Sequence, residues 1–205
     1  MWKRTDLIVM SQPYPQPSTN GDFPYIVEAR LSDGGLRIVV VETKYQDQLR
    51  NKGFGENEKS DYVLRSYEAL YLLYTKRLIL KDKKNSYDFN ALIKKILKYD
   101  NDTLTRFLIY RDIRSRGYVA KDGFGFGIDF RLYDRGEFEK NPAKYVLFGI
   151  NEGVNKKVKD FLLTIEQVEK MGKASVIAVI ESRGEIIYYK VSKVRVMENK
   201  NKKEQ

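Results

Sequence analysis

Apolar residues recur at helical spacing through the middle of the chain and at strand spacing on either side. Phe89, Leu92, Ile93, Ile96 and Leu97 stand at i, i+3, i+4, i+7 and i+8, one face of an amphipathic helix that Ser86 or Asp88 is placed to cap. Tyr67, Leu70, Tyr71 and Tyr74 mark a shorter helix over Ser66 to Lys76. After a break at Tyr99-Asp100-Asn101, Asp102 can open a further helix through Leu104, Phe107, Leu108 and Arg111, stopped by Gly117. Upstream, Tyr25 to Leu31 and Leu36 to Val41 read as strands, joined by Ser32-Asp33-Gly34-Gly35 in a tight hairpin. Asn51-Lys52-Gly53-Phe54-Gly55-Glu56 is glycine-punctuated loop. Downstream, Phe124 to Tyr133 alternates in strand fashion, Tyr145 to Ile150 and Val176 to Ile180 are apolar strands, and Ile186 to Val196 closes the pattern. Thr164 and Gln167 form a T-x-x-Q capping box for a helix ending at Gly172, and Glu181-Ser182-Arg183-Gly184-Glu185 turns one strand into the next.

These elements predict an α+β N-terminal domain followed by an α/β C-terminal domain built on a mixed sheet. The break near residue 100 divides them, giving 1–100, 101–196 and a polar, disordered tail over 197–205. Pro13, Pro15, Pro17 and Pro24 make the start of the first domain a loop or extended arm.

Composition narrows the chemistry. The 205 residues hold enough apolar and aromatic side chains (42 % and 13 %) to bury a core, yet no cysteine and no histidine. Disulfides, thiolate metal sites, cysteine nucleophiles and every imidazole acid or base are therefore excluded. Carboxylates, lysines or tyrosines must carry any acid–base work. The run Leu7 to Met10 is too short for a signal-peptide core and no stretch is long and apolar enough to span a membrane, so a soluble cytoplasmic protein is expected. Net charge is +10, with +3 over residues 1–104 and +6 over 105–196. A basic half attached to a near-neutral one points to a polyanion, usually nucleic acid.

Three constellations could carry function. Val39-Val40-Val41-Glu42-Thr43-Lys44 resembles the strand end where metal-dependent nucleases hold Mg²⁺ with a carboxylate and assist water with a lysine; Asp22 or Asp33 would be the further ligand. Gly123-Phe124-Gly125-Phe126-Gly127 runs into a strand rather than a helix, so it reads as a turn at Asp122-Gly123, with glycines where another backbone approaches closely. Arg111, Arg114 and Arg116 gather near a helix C-terminus, where guanidinium groups complement the helix dipole or clamp phosphate.

Residues 107–136, FLIYRDIRSRGYVAKDGFGFGIDFRLYDRG, resemble the catalytic-domain signature of archaeal tRNA-splicing endonucleases. The likeness continues through Lys144-Tyr145-Val146-Leu147 and the Glu181 to Val191 hairpin, while Asn51 to Glu56 and Tyr67 to Leu73 resemble the family's N-terminal domain. The resemblance implies a restriction-endonuclease-like C-terminal fold. It also implies metal-free and cofactor-free cleavage of bulge-helix-bulge RNA by a tyrosine, a histidine and a lysine. Tyr133 and Lys173 match the tyrosine and lysine, whereas the histidine position falls on Pro142 or its neighbour Asn141. Proline has no titratable atom, and one positioned acid contributes about 10²–10⁴-fold.

The family includes heterotetramers in which two inactive structural subunits hold two catalytic ones through an acidic loop. The expectation is thus a structural, catalytically inactive subunit that positions a catalytic homologue and helps bind precursor tRNA. Arg111, Arg114 and Arg116 are its candidate RNA contacts. Glu181, Glu185, Ile186, Ile187, Tyr188 and Tyr189 are its candidate subunit interface, with Arg183 departing from the wholly acidic loop pattern. The rivals are a metal-dependent nuclease using Glu42 and Lys44, and a free-standing RNA-binding protein.

Overall fold

The computed structural model describes residues 26–32, 37–155 and 157–193. The proline-rich start, the expected hairpin at Asp33-Gly34-Gly35, Asp22 and the tail beyond Lys193 lie outside these residues. Two mixed sheets organise the chain. The first has the order β3-β4-β2-β1-β5-β6 and comprises β1 (Val27–Leu31), β2 (Ile38–Val40), β3 (Glu56–Glu58), β4 (Asp61–Leu64), β5 (Leu78–Lys81) and β6 (Ser86–Tyr87). Only β1 and β5 pair in parallel, joined through α1 (Thr43–Asn51) and α2 (Ser66–Tyr74). Val27, Ala29 and Leu31 point inward from β1 while Glu28 and Arg30 point out, the period-2 pattern of a half-buried strand.

The second sheet has the order β11-β10-β9-β8-β7, from β7 (Val119–Gly125), β8 (Ile128–Tyr133), β9 (Tyr145–Asn151), β10 (Ala174–Ile180) and β11 (Ile186–Val191). Its one parallel pair, β9 and β10, is bridged by α5 (Val158–Lys170). Between the sheets, α3 (Phe89–Ile96) and α4 (Thr103–Ser115) complete the chain. Asp88 caps α3 by accepting from the Ala91 amide at 2.7 Å.

Helix α4 packs on α2, and one buried cluster runs from the first sheet through both helices to Phe130 and Leu147 of the second. Its centre is aromatic: Tyr67 lies 4.8 Å from Tyr110 and 5.0 Å, edge-on, from Phe130. Burial pushes the phenols of Tyr67 and Tyr110 well above their ordinary pKa.

Several expectations need correction. Phe124 to Tyr133 is not one strand: β7 and β8 form a hairpin that turns at Phe126-Gly127, with φ of +56° and +76°, not at Asp122-Gly123. The register shifts between Asp122 and Gly125, and a Cβ on Gly123 would stand 2.0 Å from the Ile128 carbonyl oxygen, so the expected close approach is present there. Helix α5 begins at Val158, and Thr164 sits inside it with its hydroxyl bonded to the Asp160 carbonyl. The T-x-x-Q pattern therefore caps nothing; the face Phe161, Ile165 and Val168 defines the helix instead. Asp102 stands at the cap position just before α4 without bonding the helix backbone through its side chain, and Asp100 accepts from the Asp102 amide and the Thr103 hydroxyl. Helix α1, which buries only Leu49, and the short strands β3 to β6 escaped the reading by periodicity.

Candidate functional site

Strand register brings the residues of interest to one end of the second sheet. Leu132, Tyr145 and Ala174 lie side by side across β8, β9 and β10. One residue further out on each strand stand Tyr133, Lys144 and Lys173, and the backbones of Tyr133 and Lys173 are two strand spacings, about 10 Å, apart. Lys173 donates from Nζ to the Ala143 carbonyl at 2.7 Å. Tyr133 packs edge-on against Phe138, with 5.2 Å between ring centroids. Pro142 is exposed at this same end, next in sequence to Ala143, and Asn141 turns its amide to Glu137. The Tyr145 hydroxyl, followed by the Asp134 carboxylate, raises the Lys144 ammonium above the usual lysine value. The end of the sheet is thus lined by a phenol and two ammonium groups that could stabilise an anion, with no group between them that releases a proton near neutrality.

The opposite end carries the acidic turn. Glu181 accepts from Gly184 and donates to Glu185 through backbone atoms, at 2.8 and 2.9 Å. The Ser182 amide donates to Glu152 at 2.8 Å, so Glu152 joins Glu181 and Glu185 there; sequence spacing gave no sign of this third carboxylate. The turn leads into β11, an edge strand of the sheet. Ile186 is buried and Tyr188 donates its hydroxyl to Asp112 of α4 at 2.7 Å. Ile187 and Tyr189 face the other way, toward the side covered by α5. Their register partners Val179 and Ile177 pair in turn with Ile150 and Phe148 of β9, and Phe148 packs under that helix. Tyr189 is 38 % exposed, and α5 itself exposes Val158 and Leu162 on its surface.

Comparison with known proteins matches both halves of this architecture. The N-terminal domain of tRNA intron endonucleases matches residues 27–93, and their catalytic C-terminal domain matches residues 103–188. The chain belongs to the tRNA intron endonuclease family. Several proteins named tRNA-splicing endonuclease are similar, three of them along nearly their whole lengths. That of Methanococcus vannielii is 29 % identical over 171 residues, covering 83 % of this chain and 96 % of the relative. That of Pyrococcus furiosus is 28 % identical over 167 residues, covering 81 % and 95 %. That of Methanothermobacter thermautotrophicus is 29 % identical over 174 residues, covering 82 % and 98 %.

Other residues singled out in the sequence have different surroundings in this tRNA intron endonuclease homologue. The Arg114 guanidinium is buried 4.1 Å over the Phe54 ring and donates to the Lys52 carbonyl at 3.0 Å. Arg116 pairs with buried Asp112 at 2.7 Å, and Arg111 lies beside the rings of Tyr74 and Phe107. Arg114 and Arg116 are thus both paired within the protein, Arg114 buried and Arg116 partly exposed. The Glu42-Thr43-Lys44 segment is not a strand end: β2 stops at Val40, Glu42 precedes α1, and Lys44 in its first turn pairs with Glu42 at 2.8 Å. This exposed pair satisfies itself, and no cluster of three metal-ligating side chains occurs among the described residues. No helix among them is long and apolar enough to cross a membrane.

Sequence reading missed a buried ionic clamp. Lys121 of β7 donates to Gly55 and approaches Glu68 of α2, whose other carboxylate oxygen accepts from the amides of Gly55 and Arg65 at 3.0 and 2.9 Å. The loop Lys52 to Gly55 is thereby fastened from Arg114, Lys121 and Glu68 together. A lysine at strand spacing among polar neighbours carries no sequence mark of burial.

Proposed function

We propose that the chain is the structural, catalytically inactive subunit of a heteromeric tRNA-splicing endonuclease. In this reading it works in the cytoplasm, pairs with a histidine-containing catalytic homologue as two copies of each, and helps hold precursor tRNA at bulge-helix-bulge introns. The observation that carries the reading is Pro142, which stands where the resemblance places the proton donor, in a chain with no histidine. Tyr133 and Lys173 still reach the same sheet end, so the scaffold is kept while the acid is absent. Leaving-group protonation supplies about 10²–10⁴-fold, and members of a catalytic unit fail together.

Two further features support a partner. Among the described residues β11 is an edge strand, and it bears Ile187 and Tyr189 on a face that α5 leaves partly open. Glu181, Glu185 and Glu152 form the acidic turn that would dock into a basic pocket of the catalytic subunit. Residues 1–100 and 101–196 are its two domains in this reading, the second restriction-endonuclease-like. Arg111 and Arg116, which keep partial exposure, are its nearer candidates for RNA than Arg114.

The test uses the purified chain with a bulge-helix-bulge RNA. No cleavage by the chain alone is expected, in magnesium or in chelator. Adding the catalytic homologue should give a hetero-oligomer and cleavage. Cutting by the chain alone, or failure to form a complex, would overturn the reading.

A further inference from the structure

The run Gly123-Phe124-Gly125-Phe126-Gly127 has no part in the function proposed above, yet it leaves two phenyl rings in water. Phe126, at the turn of the β7–β8 hairpin, is 71 % exposed, and Phe124 is 46 % exposed. The backbone there is left-handed for three residues in succession, with φ of +89°, +56° and +76° at Gly125, Phe126 and Gly127. Glycine takes that conformation freely, whereas a bulky side chain is disfavoured in it. Glycine or asparagine would serve the turn better, so the Phe126 ring is a cost to the isolated fold in both conformation and exposed apolar surface. The base of the tip is firmly held. Asp122 accepts from the Tyr67 hydroxyl at 2.6 Å and pairs with Arg65 at 2.7 Å, which ties the hairpin to the start of α2. Its carbonyl accepts from Arg131 at 2.7 Å, and the Arg131 guanidinium lies 4.7 Å over the Phe124 ring. The turn itself projects clear of its surroundings, since a Cβ on Gly125 or Gly127 would meet no atom within 4 Å. Exposed rings on a braced support suit binding, because little freedom is lost when a partner covers them.

Charge favours protein over RNA as what covers these rings. Strand β8 runs from the tip to Tyr133, so the tip lies at the sheet end opposite Tyr133 and Lys173, about 17 Å away along the strand. Among the described residues that join the strands at the tip end, Lys157 and Arg183 are outnumbered by Glu152, Glu181 and Glu185. In the segments flanking the strands at the Tyr133 end, Arg116, Arg135, Lys140, Lys144, Lys173 and Lys193 outnumber Asp134, Glu137 and Glu139. A polyanion is drawn to the second end, and rings that stack on unpaired bases ordinarily stand in a basic groove. The arginines at the base of the tip are engaged, Arg131 by the Asp122 carbonyl and Arg65 by Asp122 and, at 3.0 Å, Glu58. Aromatic rings at an end with a slight excess of acid have the composition of a protein interface.

We propose that Phe124 and Phe126 form an anchor that inserts into an apolar, basic-rimmed pocket of the catalytic homologue. The identity of that partner rests on the structural-subunit reading. Strands β7 and β11 are the two edges of the five-stranded sheet, so the anchor is a contact separate from Ile187 and Tyr189. The apolar pocket would take the rings out of water, and the basic rim would meet the carboxylates at the same sheet end.

The experiment titrates the histidine-containing catalytic homologue with the full chain and with a combined Phe124→Ser, Phe126→Asn variant, reading the dissociation constant by calorimetry. Asparagine accepts a positive φ and both rings lie outside the core, so the variant should unfold at the same urea concentration as the parent or a higher one. Affinity for the homologue should fall at least about 10-fold, the scale of a lost interface anchor. Affinity of the chain alone for a bulge-helix-bulge RNA should be the same for parent and variant.

Equal affinity of parent and variant for the homologue would overturn the proposal and leave the structural-subunit reading in place. A fall in RNA affinity with homologue binding intact would also overturn it, by assigning the rings to RNA. Unfolding of the variant at lower urea would make the rings part of the fold rather than an anchor. A parent chain that binds no catalytic homologue would remove both the anchor and the reading on which it rests.

Discussion

The Lys121 ammonium lies 3.3 Å from the Glu68 carboxylate, and both side chains are buried where β7 meets α2. This contact joins residues 53 positions apart and fastens the Lys52 to Gly55 loop between them. A buried pair is costly to desolvate, and its worth appears when one partner is removed and the other charge is left alone.

Lys121→Met should accordingly destabilise the chain by about 3–5 kcal/mol, read from the midpoint of urea unfolding at constant slope. Glu68→Gln should cost less, because an amide oxygen can still accept from Gly55 and Arg65. An effect under about 1 kcal/mol for Lys121→Met would mean that water reaches the pair.

The proposed loss of the acid is tested by restoring one. Pro142→His places an imidazole at the sheet end that already holds Tyr133 and Lys173. Cleavage of a bulge-helix-bulge RNA should rise over the parent by about 10²-fold, the lower end for one general acid, because the exposed loop around residue 142 is not built to orient it. The gain should persist in chelator and vanish on adding Lys173→Ala. A histidine variant as inert as the parent would show that more than the proton donor has been lost.

The proposed partner surface is tested by charge. Ile187→Glu with Tyr189→Glu places two carboxylates on the outer face of β11 without touching Ile186 or the bond from Tyr188 to Asp112. The monomer should stay folded by circular dichroism, while the mass of the complex with a catalytic homologue should fall to that of its parts. An intact complex would move the interface elsewhere.

The β5–β6 hairpin should be acid-sensitive. The Tyr87 hydroxyl, followed by the Lys84 and Asn85 amides, holds the Asp82 carboxyl well below the usual carboxylate range. A group depressed in the folded state stabilises it above the unfolded pKa, about 3.9, and that stabilisation is lost as pH falls through the folded value. Amide exchange at Lys84 and Asn85 should therefore stay protected at pH 5 and open progressively below about pH 4, after allowance for intrinsic rates. In Asp82→Asn the pH dependence should disappear.

Legibility in the sequence followed the length of each signal. Helix α3 and its Asp88 cap could be read because five apolar residues repeat on one face within eight residues of helix and its flank. The short strands β3, β4, β5 and β6 could not, since two to four residues do not establish a period. The Phe126-Gly127 turn was misplaced because Asp122-Gly123 carries the commoner turn chemistry, whereas β7 extends through it by a bulge. The sequence leaves Arg114 open between complementing the helix dipole and clamping phosphate, and in the fold it is buried against a neighbouring loop. Its guanidinium is satisfied by a ring and a carbonyl from a loop 62 residues away in the chain, which no local pattern reports.

By itself the sequence determined what chemistry is absent and which family motifs are present: a chain without histidine or cysteine cannot place an imidazole or thiolate anywhere, whatever its fold. It also carried Tyr133, Pro142 and Lys173 as separate positions on the chain. Only the tertiary structure decided that strand register sets those three at one sheet end, and that Lys121 and Glu68 meet in the interior. Residue identity limits chemistry locally, whereas juxtaposition depends on pairing and packing between segments far apart in sequence.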